Sequence, residues 1–527
     1  MQRPLILLCG LGAALILWAT PGSASGAQST APRTQPGNGC SGSAKQCLAS
    51  AIEAMGGRER LEAVHNLRLE EIGHTLLMEQ SYRQEPFISS YERVHETIDF
   101  EHGRLYRETE TTWPESDPGQ SLIKATVVAT ASAGIRRGQP ADTPASLDDL
   151  DTALEELGLG PARVLLTALA ASDLHFESSV EVRSTPHIAI AFNRAGTTVR
   201  VLLNPFNHLP DAVETVQEFH DFWYFWGDVR QRTYFDNWQV LHGLIYPTNL
   251  VVERNGALWR SVQVLQLDAN VPVDDSLFQM DASAAARSAQ GRGWNRPFNA
   301  GVATELAPGI TMFPGAWNST VVQEPDGIYI LEAPISAAYM QAVIDEARKR
   351  YPGMPIKGVF STSDSWPHTG GVRQSVALGI PVYILDLNQP LLERLIAAPH
   401  NIKPDLLQRH PQHPQWNVVS RRTSVGGGRN RAELYPIRGA STERQYMVYF
   451  PEHQLLYASD TLALNADQSL YDPELMREVW AAVLREHLQV RTVFAMHEGP
   501  VAWERVAAQL KELTVAETVR EQQPFRP

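Results

Sequence analysis

The sequence predicts an α+β protein in two parts, an antiparallel β-rich N-terminal part and an α/β layered C-terminal part. Three observations predict it. Over roughly two hundred residues beyond Gly57, apolar and polar residues alternate with the period of two that marks half-buried strands. Beyond a stretch rich in Ala, Ser, Gly, Arg and Asn at 283–300, the pattern changes to strand, helix, strand, the order of a layered α/β domain. The chain has 527 residues, 43% of them hydrophobic and 20% charged, enough for two or three domains with sizeable cores.

The N-terminus has a secretory layout. Arg3 supplies a positive region, residues 5–18 are a short apolar run, and small residues follow at 22–27. The run is shorter than the roughly 18–20 residues that span a bilayer. Residues 1–26 therefore read as a cleaved signal peptide, and a secreted or periplasmic protein with no stable membrane span is expected. Cys9 lies inside the apolar run without the small-residue lead-in of a lipoprotein cysteine. Residues 27–46 have the Gly, Ser, Thr, Pro and Gln content of a disordered leader. Once the signal is removed only Cys40 and Cys47 remain, and in an oxidising compartment a disulfide is the default, with two free thiols as the alternative. The formal net charge of -14 argues against nucleic acid or anionic membranes as partners.

The β-rich part is expected over 47–282. It opens with a helix near Cys47, with Leu48, Ile52, Met55 and Leu61 as apolar positions and Gly56-Gly57 as an interruption. Strands follow, among them 187–192, 198–203 and 250–253, the last leading into an Asn255-Gly256 turn. A helical island at 146–171 intervenes, and the part closes at 270–278. The aromatic run 219–226, with His220 and Asp221 inside it, has two readings: the wall of an apolar cavity, or core. After the 283–300 linker, residues 301–527 show strands at 328–331, 356–360 and 381–385, helices at 338–350 and 372–378, and a hairpin at 446–457 leading to Ser459-Asp460. A strand at 493–496 runs into His497, and a last helix covers 502–513.

The segment Val359-Phe360-Ser361-Thr362-Ser363-Asp364-Ser365-Trp366-Pro367-His368-Thr369-Gly370-Gly371 climbs from an apolar strand to a polar loop that ends in His-x-Gly-Gly before a helix. It resembles the metal loop of the metallo-β-lactamase superfamily. Ser459-Asp460, His497-x-Gly499 and the order of the elements extend the resemblance over 304–513. The resemblance implies an αββα metallo-β-lactamase-like sandwich whose ligands hang from loops at one edge. Ahead of it, Ala54-Met55-Gly56-Gly57-x-Glu59-x-Leu61 and the closing 272–278 segment are similar to the β-rich domain of some secreted proteins of that fold. That domain resembles the half-barrel of bacterial lipoprotein carriers and sensors, which implies a small-molecule or apolar ligand.

Carried over residue by residue, the first two loop histidines of the family fall on Ser363 and Ser365, and the loop aspartate falls on Pro367. The last loop histidine is His368, the middle histidine falls near Gly439-Ala440-Ser441, the bridging aspartate is Asp460 and the final histidine is His497. One metal position thus loses all its histidines. The other keeps His368, Asp460 and His497, so the implied cofactor is at most one zinc or other divalent cation. Two imidazoles and a carboxylate suffice for such a cation with an open position for water, whose pKa then falls towards neutrality. The implied reaction is hydrolysis of an ester, amide, thioester or similar bond. Asp364 and Glu498 are the carboxylates nearest in sequence, candidates for orienting water or taking its proton. Asp364 alternates with the ligand positions and is expected to point away, and Glu498 has the bland reading of a solvated loop residue.

Two alternatives stay open. In a metal-free relic His368 hydrogen-bonds Asp460, and the protein is a non-catalytic binding or sensory module on the same fold. In the other, an enzyme uses Asp364 with His368. His400, His410 and His413 lie in or near a Pro-rich loop and read as solvated. The run Gly426-Gly427-Gly428-Arg429-Asn430-Arg431 lacks the Lys-Ser/Thr and helix start of a phosphate loop. It reads as a flexible loop, with Arg429 and Arg431 as contacts to an anionic substrate.

Overall fold

A computed structural model describes residues 40, 42–76, 89–112, 122–291, 293–296, 298, 301–315 and 317–521, with side chains to residue 513. The expected signal peptide and most of the expected leader lie outside the described residues. The alternating region forms a 14-stranded sheet. Its two meanders meet where Asn66–Leu76 pairs antiparallel with Ser89–Asp99 on one side and with Ala257–Ala269 on the other. The alternation has the expected cause: Leu67 and Leu69 are buried, as are Ile190, Phe192, Val201 and Leu203, and they share one cluster with Leu48 and Ile52 of the helix Ala44–Ala54. The helical island is two helices, Leu147–Glu156 and Val164–Ala170. Cys40 and Cys47 are joined by a disulfide at the start of the first helix. Part of the expected linker is helical too: Ala282–Ser288 packs Ala284 and Ala285 against Val128, Ile135 and Phe278.

Between helices and sheet lies a charged cluster. Glu96 and Arg107 face each other in register, and Arg107 Nη1 donates to Glu96 Oε2 at 2.6 Å. Glu71 is also buried, and Glu156 ends the helix Leu147–Glu156. Burial first, and then the charge of Glu96, push the Glu71 carboxyl up to about 7. Burial and Glu96 push Glu156 up as well. Because the folded chain favours protonated Glu71, its stabilising contribution is complete below about 4.5 and is lost as pH rises through about 7. The urea midpoint should therefore fall between pH 5 and pH 8.5, and Glu71→Gln should remove roughly 2 kcal/mol of that dependence. An identical pH slope in wild type and Glu71→Gln would exclude this.

The aromatic run is not part of a strand. Tyr224–Trp226 is a 3-10 turn, and Phe219, Trp223, Tyr224, Phe225 and Trp226 are buried in a cluster with Ile335, Tyr339, Trp366 and Leu391 of the second half. Arg254, 3% exposed, organises this segment. Its Nη1 donates to Asp221 Oδ2 at 2.5 Å, its Nε to Gln231 Oε1 at 3.0 Å, and its guanidinium lies 3.4 Å from the Trp259 ring centroid and 3.8 Å from that of Phe219. Gly227, at φ 70°, lets the backbone pass so close to Pro399 that a Cβ would stand 2.4 Å from its carbonyl oxygen. Asp228 N donates to Pro399 O at 2.8 Å, and the Asp228 carboxylate accepts from Asn401 N at 2.8 Å and Ile402 N at 3.0 Å.

The second half has two sheets. One is seven-stranded, from Thr304–Ala307 to Trp416–Val419, and the other six-stranded, from Thr423–Val425 to Val501–Ala502. They face each other through Met312, Leu331, Phe360 and Leu385 on one side and Leu434, Val448, Phe450 and Phe494 on the other. The helices Ala337–Arg350, Val372–Ala377 and Gln389–Ala397 cover the outside of the first sheet. Pro473–Arg485 and Trp503–Glu521 cover the second. The order is helix, sheet, sheet, helix. Among the described residues, no helix is long and apolar enough to cross a membrane.

Candidate functional site

The strand Ile356–Ser361 ends in the loop of Ser363 and Ser365, and Trp366–Thr369 is one short helical turn. Pro367 stands in its first turn, where the missing N–H costs nothing and the fixed φ suits a helix start. The proline at the family's aspartate position thus begins the turn that presents His368. The glycines after His368 are required by packing. A Cβ on Gly370 would stand 2.1 Å from Ile335 O, and one on Gly371 2.7 Å from Met340 Cβ.

His368 is fully buried between two carboxylates. Its Nδ1 is 2.8 Å from Glu332 Oε2, and its Nε2 is 3.5 Å from Asp460 Oδ2. Glu332 directly follows the strand Gly327–Leu331 and is held by three hydrogen bonds from two neighbours. Tyr457 Oη donates to Oε1 at 2.9 Å, Thr362 N to Oε2 at 3.4 Å, and Thr362 Oγ1 to Oε1. Since that hydroxyl hydrogen is committed, Ser459 Oγ donates to Thr362 Oγ1, 2.7 Å away. Asp460 lies next to Ser459, and its Oδ1 is 2.6 Å from His497 Nε2. The chain of contacts therefore runs Glu332, His368, Asp460, His497, from a fully buried carboxylate to an imidazole whose side chain is 35% exposed.

The strand Thr492–Phe494 carries His497 three residues beyond its end, and Asn318 fixes the loop. Asn318 N donates to Met496 O at 2.8 Å, and its Nδ2 to Ala495 O at 3.2 Å and to Glu498 O at 3.3 Å. Burial alone would depress the His368 imidazole, but Glu332, and then Asp460, more than offset it and hold it at about 10. Burial alone would raise Asp460, but the charges of His497 and His368 bring it well below the carboxylate range. As the groups stand, an imidazolium at His368 bridges two carboxylates.

His368, Asp460 and His497, the ligands that the resemblance implies, thus come together from three loops. The implied catalytic carboxylates do not join them. Asp364 is fully buried, 4.0 Å from Arg444 Nε. Glu498 Oε1 accepts from Gly499 N at 3.0 Å. Ser363 Oγ accepts from Ser365 N at 3.2 Å, both serines being buried. The loop at the missing middle histidine is turned towards the helix Pro473–Arg485: Glu478 accepts from Ser441 N at 2.9 Å and Thr442 N at 2.8 Å. Two readings are corrected, that of His400 and that of the triple-glycine loop, while His410 and His413 are solvated as expected. His400 is buried, not solvated, and burial with Arg373 nearby brings it down to about 4. The triple-glycine loop holds the chain's own Glu324, whose Oε2 accepts from Gly428 N at 2.8 Å, and Arg431 pairs with Glu433 at 3.5 Å.

The donor types at the edge suit one divalent cation, and His368 Nε2 and Asp460 Oδ1 are buried without a well-angled hydrogen bond. Their spacing does not suit it. Two ligands of one tetrahedral zinc lie roughly 3.3 Å apart, against 2.6 Å between His497 Nε2 and Asp460 Oδ1. Among the described residues, no three His, Cys, Asp or Glu side chains are arranged to hold a metal ion.

Glu332 escaped the sequence reading. Its only signal is a charged residue closing the apolar run Ile328-Tyr329-Ile330-Leu331. Glu332→Gln should cost roughly 3 kcal/mol in urea unfolding at pH 7, because it leaves a buried imidazolium with one partner fewer. A cost under about 0.5 kcal/mol would mean that this contact does not hold the loop.

No family model and no curated protein matches the chain. Solved structures similar to it include the inverting sec-alkylsulfatase Pisa1 from Pseudomonas sp., at 13% identity and TM-score 0.30 over 43% of this chain and 46% of that one. The chain thus spans about half the length of the alkylsulfatase it matches. TMB-1 is 15% identical, with TM-score 0.33 over 42% of this chain and 99% of its own. A metallo-β-lactamase from Erythrobacter litoralis is 14% identical, with TM-score 0.31 over 40% and 94%.

Proposed function

We propose that the chain is a metallo-β-lactamase-fold hydrolase whose reacting edge is the Asp460–His497 pair, backed by His368 and Glu332, with at most one divalent cation retained there. The convergence of His368, Asp460 and His497 on one sheet edge carries this reading. His497, at the open end of the contact chain, meets water and substrate. Asp460 Oδ1 stands 2.6 Å from its Nε2, the placement of a carboxylate that orients a general base. The division into a β-rich part over 47–282, with a half-barrel shape, and a catalytic part over 301–527 belongs to the same proposal. So does a secreted or periplasmic location, which the Cys40–Cys47 disulfide supports.

Elemental analysis of protein produced in the periplasm tests the cation. At most one equivalent is expected, lost in Asp460→Ala and His497→Ala. Two equivalents, or one that survives both substitutions, would falsify the assignment. With aryl esters as substrates, His497→Ala should lower kcat by about 100-fold or more, and Asp364→Asn by less than about threefold.

A second reading has one observation in its favour, the 2.6 Å approach of His497 Nε2 to Asp460 Oδ1. On that reading the ion pairs hold the loops in place of a metal, and the protein is a non-catalytic binding or sensory module for a small or apolar ligand. It predicts no metal, no hydrolysis and a melting temperature that a chelator leaves unchanged.

A further inference from the structure

Beside His497 the surface changes from charged to aromatic. The Trp317 ring centroid lies 6.4 Å from that of His497, Trp294 lies 5.8 Å from Trp317, and Phe222 lies 5.6 Å from Trp294. These three residues are half-buried, with the Trp317 indole nitrogen enclosed. Trp366 behind them is buried, with its ring centroid 4.9 Å from both Phe222 and Trp294 and 5.5 Å from Trp317. The row draws on distant parts of the chain. Phe222 comes from the segment before Val229–Leu241, Trp294 from the connection between the halves, and Trp317 from the loop before Ser319–Glu324.

Adjoining aromatics left partly open beside an accessible imidazole are what an apolar ligand surface requires, with polar groups at one end to fix orientation. We propose that Trp317, Trp294 and Phe222 form the apolar side of the substrate subsite, so that the edge takes a small amphipathic molecule. Its polar reacting group lies at His497 and its flat aryl or alkyl body lies along the rings. The β-rich part then contributes to specificity through Phe222. This inference rests on the edge being the reacting site, so its test reads binding separately from turnover.

The probe is 2-naphthol, a neutral aromatic with one polar group, titrated calorimetrically into the full chain. Wild type should saturate within the solubility of the probe. Trp294→Ala should weaken binding about tenfold, and Trp294→Phe, which keeps an aromatic face, by less than about threefold. Melting curves of the Trp294 variants establish that each is folded. No saturation of wild type, or equal affinity in wild type and folded Trp294→Ala, would overturn the subsite. If Trp294→Ala loses the probe while wild type hydrolyses no ester, the apolar surface stands and the hydrolytic reading fails.

Discussion

The buried pair of Glu332 and His368 lies at the centre of the polar contacts that, together with apolar packing, join the two sheets of the second half. Glu332 extends a strand of the seven-stranded sheet, whereas Tyr457, which donates to it, ends a strand of the six-stranded one. Thr362 and Ser459 close a second path between the same two sheets. A charge removed from water survives only if its partners are placed to meet it, so burial of His368 sets the positions of both strand ends. Two of the residues involved, Glu332 at φ 75° and Ser459 at φ 58°, adopt the left-handed conformation that non-glycine residues avoid. The network compensates that local strain.

The aromatic segment does for the two halves what this network does for the two sheets. Arg254 and Asp221 fix its first residues against the 14-stranded sheet. Asp228 fixes its end by capping backbone amides of the second half. Between these anchors, Phe222 stacks on Trp366, two residues from His368. The loop that carries the site is therefore packed against a segment more than a hundred residues earlier in the chain, and any shift of that segment is felt at the edge. Interiors packed at crystal-like density transmit such shifts instead of absorbing them.

Charge is distributed unequally along the contact chain. His368 and Asp460 are tuned by burial and by each other, in opposite directions. His497 alone keeps a substantial exposed surface. Of the four groups in the contact chain, His497 is thus the one open to solvent, with the buried groups behind it. The charged cluster of Glu71, Glu96, Arg107 and Glu156 in the first half follows the same rule, and there excess carboxylates are accommodated by protonation.

Local pattern determined much of this protein. Period-two alternation marked the strands of the first half, and the strand–helix order marked the layers of the second, because each reflects which face of an element meets the core. The His-x-Gly-Gly run, and with it His368, Asp460 and His497, was readable through the resemblance to the metallo-β-lactamase metal loop and not through local pattern. The structure adds why the glycines stand there, since Gly370 and Gly371 lie where backbone and side chains come too close for any Cβ. Only the tertiary structure decided that Glu332 stands behind His368, that Arg444 is the neighbour to which Asp364 turns, and that the aromatic run belongs to the second half and not to a strand of the first. Each of these is a long-range pairing of charges or rings. The electrostatics and packing that select such a pairing exist only once distant segments have been brought together.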